Sequence, residues 1–125
     1  MFECGFIYVA GGLDPDTHRA VIPSENINMN VIGCADYAQA EAAAVELVRK
    51  GCDAIELCAG FSNEGVARIQ KAVGPDVFVG AVRFDAHPAF GFKSGNEAFK
   101  YSGIKPDLFM EKGRGICRGP CFWGV

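Results

Sequence analysis

Residues 53–58 and 77–84 are almost continuously apolar, and each run follows a segment with helical periodicity. No other feature constrains the fold as tightly. A short apolar run reached through a helix is the mark of a parallel strand covered on both faces. The connecting helices then cross over with right-handed sense. Further apolar runs at 5–10 and 27–34 extend the pattern. In the second, Ile27, Met29 and Val31 alternate with Asn28 and Asn30, as on a half-exposed edge strand. The expected helices span 37–50, 63–73 and 95–102. Asp36, Ser62 and Ser94 stand at their N-cap positions, and Ser94 with Glu97 has capping-box spacing. Gly51, Gly74 and Gly103 end them. Asp14-Pro15 opens a single helical turn over 14–19.

These elements predict a small open α/β domain over residues 1–105. Its sheet is mainly parallel and four-stranded, with flanking helices. The alternative is half of an eightfold βα barrel completed by dimerisation, because 125 residues are too few for a closed barrel. Either version leaves apolar edges or faces uncovered in one copy, so a homo-oligomer is expected. Residues 106–125 read as a glycine- and cysteine-containing tail. From 111 onward, Lys112, Arg114 and Arg118 outnumber Glu111.

Composition narrows the setting. No apolar run approaches a membrane span, and Met1–Gly12 lacks the basic start of a signal peptide. A cytoplasmic protein with reduced thiols is the expectation, so the six cysteines are not read as a disulfide framework. A net charge of −3 with no basic stripe argues against nucleic-acid binding. No glycine-rich phosphate motif and no Walker lysine occur, so nucleotide binding has no motif support and the cofactor is left unknown.

In open parallel sheets, ligands bind outside the carboxyl ends of the strands. Glu56 lies inside a strand expected to be buried on both faces, where a bare carboxylate needs a partner. Alternation allows Arg83 to be that partner if their strands are neighbours. The pair reads either as a structural ion pair or as an acid/base group with an anion clamp. Cys58 sits before a helix N-terminus that would favour a thiolate, or it is a small buried hydrophobe. Gly60, Ser62 and Asn63 form the turn into that helix, where backbone N–H groups suit a carboxylate or phosphate. Ordinary capping explains the same residues. Asp85 and His87, two residues apart, form a candidate acid/base or metal-sharing pair. His18 and Arg19 complete the ligand-binding candidates near the end of the first strand. Only two histidines occur, and no metal site is assigned. Cys117 and Cys121 have the spacing of half a zinc site, but no second half stands nearby.

The segments DPDTHRAVI (14–22), ELVRKGCDAIELCAGFSNEGVARI (46–69) and VGAVRFDAHPAFGFKSGNEAF (79–99) resemble an uncharacterised family of short prokaryotic α/β proteins, known only as a domain of unknown function. The family pattern often has a second glycine where this chain has Ala59, and it does not include the tail. The resemblance implies a small α/β domain and transfers no catalytic residue. Two functional expectations stand. One is binding of a small anionic metabolite at the strand ends, with Glu56, Asp85 and His87 as acid/base candidates. The other is a non-catalytic oligomeric binding or assembly module. No reaction is named by these residues.

Overall fold

A computed structural model of the chain describes residues 1–100. Eight elements carry the fold. They are β1 (Phe2–Val9), β2 (Arg19–Pro23), β3 (Ile27–Cys34), α1 (Tyr37–Arg49), β4 (Ala54–Leu57), α2 (Asn63–Val73), β5 (Phe78–Ala81) and α3 (Gly95–Phe99). A 3-10 turn at Pro88–Phe90 links β5 to α3. The sheet order is β2-β3-β1-β4-β5. β3, β1, β4 and β5 run parallel, and β2 pairs antiparallel with β3.

The mixed α/β class stands, but the sheet has five strands, not four. The additional one is β2, which lies where a helical turn and a connection were expected. The helical turn exists: the Thr17 and His18 N–H groups both donate to the Asp14 carbonyl. The chain then reverses at Ser24–Asn26, whose serine hydroxyl bonds Ile27. An eightfold barrel has strands in sequential order, all parallel. The order here is not sequential and one edge is antiparallel, so the arrangement is not half of such a barrel.

The helices are all on one side. α1 packs on β1 and β3, α2 packs on β5, and the two helices pack on each other. Asp36 caps α1 by accepting from the Gln39 N–H at 2.9 Å. Ala40, Ala43 and Ala44 let α1 approach the sheet closely. Gly5 makes the contact tightest, since a Cβ there would stand 2.6 Å from Leu47 Cδ1. Ile7, Val9, Ile32, Ile55, Leu57 and Ile69 fill the layer between.

Although Leu13 and Tyr8 reach over Gly33 at one end, no described helix packs on the opposite face of the sheet. Register assigns its residues. Phe6 stands beside Glu56 on β4 and Val31 on β3, while Glu56 stands beside Gly80 on β5. Ile22 stands beside Met29. Among the described residues the strands are packed by helices on one face, where both faces were expected to be covered. β4 buries Ile55 and Leu57 and β1 buries Gly5, Ile7 and Val9 on the helix side, while on the opposite face of these two strands only Cys4 is buried. Phe78 is 77% exposed and Ile22 60% exposed on the open side.

Among the described residues no helix is long and apolar enough to cross a membrane. Cys4, Cys34, Cys52 and Cys58 are free thiols. Cys117, Cys121, the end of the expected helix at Ser102 and the expected tail lie outside the described residues.

Candidate functional site at the carboxyl ends of the strands

β4 ends at Leu57, and the chain turns through Cys58, Ala59 and Gly60 into α2. The turn is held from inside. Tyr37, the first residue of α1, is fully buried and donates its hydroxyl to the Gly60 carbonyl at 2.8 Å. The same oxygen accepts from the Ser62 N–H at 3.3 Å. Its ring stacks on Phe61 with centroids 5.3 Å apart. Burial pushes the Tyr37 hydroxyl up to about 12, so it stays a donor at neutral pH.

α3 closes over this turn. The Gly95 N–H donates to the Ser62 hydroxyl at 2.8 Å. A Cβ on Gly95 would stand 1.7 Å from the Gly60 carbonyl oxygen, so only glycine allows the approach. Ser94 and Glu97 form the expected capping box. Ser62 occupies the N-cap position of α2, as expected, but its hydroxyl makes no cap bond. It faces Gly95 instead. Gly60 and Ser62 are therefore used in holding α3, with both residues buried.

Cys58 is half-buried, and its Sγ accepts from the Val9 N–H at 3.4 Å and the Gly60 N–H at 3.3 Å. Burial outweighs these bonds and pushes the thiol up from its ordinary value. That is the small buried hydrophobe of the two readings, not a helix-activated thiolate.

A cleft of about 440 Å³ opens beside the start of α2 and the end of β5. Phe61, Ser62, Asn63, Val66, Ala81 and Arg83 line it. Among the described residues Arg83 is its only cation. Its Nε donates to Asp85 Oδ1 at 2.8 Å, and its Nη1 donates to Asn63 Oδ1. The ion pair is open to solvent, with the Arg83 side chain 53% exposed. A larger hollow of about 690 Å³ continues along α2 toward Pro75 and Phe78. It offers little polar chemistry, because the Gln70 amide is spent on the Gly74 and Val77 carbonyls.

Glu56 does not meet Arg83. Glu56 is exposed on the open face, whereas Arg83 reaches the cleft on the helix side. Their strands are neighbours, as the pairing required, but the register puts Gly80 beside Glu56. Residues of odd number in β5 then face the helices. Glu56 is neither buried nor part of the cleft.

His87 stands apart from Asp85. Its ring lies between Phe84 and Phe90, at centroid distances of 4.8 and 4.3 Å. Nδ1 accepts from the Ala89 N–H at 3.0 Å, which puts the proton of the neutral ring on Nε2. Burial lowers its pKa. His18 and Arg19 lie at the other edge of the sheet. His18 Nδ1 accepts from the Asp14 N–H at 2.8 Å. Arg19 is held in a two-pronged bond by Glu46, at 2.8 and 3.0 Å. Neither joins Arg83, since β2 and β5 are the two edges of the sheet. Among the described residues no cluster of three metal-ligating side chains occurs.

Sequence reasoning missed Tyr37 and Gly95, the two residues that build the turn. A tyrosine at a helix start and a glycine after a serine carry no local signal of a contact made 23 or 35 residues away.

A family described as a family of unknown function, DUF6506, matches residues 2–97. The chain belongs to DUF6506. The match takes in every strand, α1, α2 and the capping box of α3. DUF6506 brings no assigned activity to these residues. No curated protein and no solved structure matches the chain.

Proposed function

We propose that the chain binds a small anion, a carboxylate or phosphate, in the cleft between α2 and β5. The observation that carries this reading is the convergence of the Arg83 guanidinium with the open first turn of α2. The N–H groups of the first helical turn have no partner inside the helix, and they sit at its positive end. Ser62, the residue placed to cap them, is turned away toward Gly95. An arginine fork suits both carboxylate and phosphate oxygens. Asn63 adds a side-chain amide beside the guanidinium. Asp85 occupies the guanidinium with the chemistry expected of a ligand, so an incoming anion exchanges with it.

Binding, not turnover, is the reading. Asp85 serves Arg83, and the packed ring of His87 makes no bond to Asp85 among the described contacts. The test is NMR titration of the full chain with inorganic phosphate, acetate and succinate. Amide shifts at Asn63, Glu64 and Gly65 are expected, with a Kd in the millimolar range or below. Arg83→Gln should remove them. Asp85→Asn should tighten binding by taking away the competitor. No shift at these amides with any of the three anions would overturn the proposal.

A further inference from the structure

We infer that the acid taken by the anion cleft is an amphiphilic monocarboxylate, a carboxylate head on an unbranched apolar tail. This rests on the anion reading above and names the class of ligand that the same site selects.

The cleft does not stop at Arg83. It shares two wall residues, Ala67 and Gln70, with the larger hollow beside it, so the two make one groove between α2 and β5. β5 and the residues around it supply one wall by alternation. Val77, Val79, Ala81 and Arg83 are all odd-numbered and line the groove in that order. Three apolar side chains in a row therefore end on one guanidinium. α2 supplies the other wall from a single stripe, with Asn63, Ala67, Gln70 and Gly74 at helical spacing. Asn63 stands at the Arg83 end and bonds it. The Gln70 amide is turned onto the Gly74 and Val77 carbonyls at 2.9 and 3.1 Å, so it is not offered to a ligand. Lys71 stands at the far mouth.

Charge at one end and apolar walls along the rest match an acid with a tail. Asp85 already shows that the guanidinium takes a carboxylate, with Nε donating at 2.8 Å. A polyol phosphate would need hydrogen-bond partners that the Val77, Val79 and Ala81 side chains lack. Length follows from the helix. From Asn63 to Gly74 the wall runs about 16 Å, at 1.5 Å per residue. An extended alkyl chain built of C–C bonds of about 1.5 Å advances roughly 1.25 Å per carbon, so the groove takes about 12 carbons.

The test is calorimetric titration of the full chain with acetate, hexanoate, octanoate and decanoate, each below its micelle concentration. Amide shifts at Asn63 and Gly65 are read in parallel. Affinity should rise about two- to fourfold per added carbon, the gain from burying a methylene partly or fully. Octanol, which has the tail without the charge, should bind about fivefold more weakly than octanoate. Ala67→Gln, at an exposed helical position in the middle of the groove, should flatten the dependence on length. Lys71→Gln should weaken decanoate less than Arg83→Gln does. Equal affinity for all four acids overturns this inference and leaves the anion reading standing, whether the groove stays wet or another segment of the chain fills it. No binding by acetate or by decanoate overturns both. A dependence on length that survives Ala67→Gln puts the tail elsewhere, and octanol binding as tightly as octanoate means the head is not recognised. Either result overturns the inference, as does an equal loss from Lys71→Gln and Arg83→Gln.

Discussion

Glu56 and Arg83 lie on adjacent strands and point to opposite sides of the sheet. The first carboxylate is in contact with solvent on an apolar surface, and the guanidinium is in the cleft with Asp85. Arg83 is paired with Asp85 and not with Glu56, so the two residues are expected to respond independently to mutation.

Glu56→Gln should therefore change folding stability by less than about 0.5 kcal/mol, the usual effect at an exposed site. Breaking a buried pair would cost about 3–5 kcal/mol. Urea unfolding of the two chains at a concentration that keeps both monomeric separates the outcomes. A loss of several kcal/mol would contradict the placement of Glu56.

Tyr37→Phe removes one hydroxyl and leaves the Gly60 carbonyl and Ser62 N–H without their buried partner. The expected cost is about 1–3 kcal/mol. Denaturant midpoints measure it. A neutral result would mean that water replaces the hydroxyl and that the turn is not closed as described.

Gly95→Ala puts a methyl group where the Gly60 carbonyl oxygen already is. Over-packing of this kind typically costs about 1–3 kcal/mol. The damage should be local, with α3 lifting from α2. Hydrogen exchange should show faster exchange at Ala98 and Lys100, while β1 and β4 keep their protection.

His87 gives the fold a pH dependence. Its pKa is lowered by burial from 6.5, so the unfolded chain binds its proton more readily than the folded one. Stability from this residue is present above about pH 6.5 and is lost as the pH falls toward the folded value. His87→Asn, which keeps an acceptor for the Ala89 N–H, should flatten that acid-side slope. An NMR titration midpoint at or above 6.5 would contradict it.

The legible parts of the fold are those written in local chemistry. Asp36 caps α1, Ser94 and Glu97 form a capping box, and Gly51 and Gly74 follow their helices with positive φ. Four strands stand near their expected places. β2 was hidden because all five of its residues are exposed and Pro23 ends it, so it lacks the period of a buried strand. The layering was misjudged for a related reason. Phe6, Met29, Val31 and Phe78 are as apolar as core residues, although their face has no described cover. Hydrophobicity alone does not distinguish burial within the chain from burial against another surface. At the strand ends, register decided which of the candidate residues meet. A shift of one residue sends a side chain to the other layer, and neither Glu56 nor Arg83 carries a mark of its side.

β1 is the first strand of the chain and the middle strand of the sheet, with β3 on one edge and β4 on the other. A ribosome therefore delivers this central strand before either of the strands that flank it. Phe2–Val9 has no partner on its first edge until Ile27–Cys34 has emerged, and none on its second until Leu57. Nascent chains that end before Cys34 carry the apolar face and both open edges of β1 together, and those that end before Leu57 still carry one open edge, the condition that invites wrong pairing. Protease resistance should accordingly appear late in synthesis and abruptly, only in chains that extend past Leu57 and the first turn of α2.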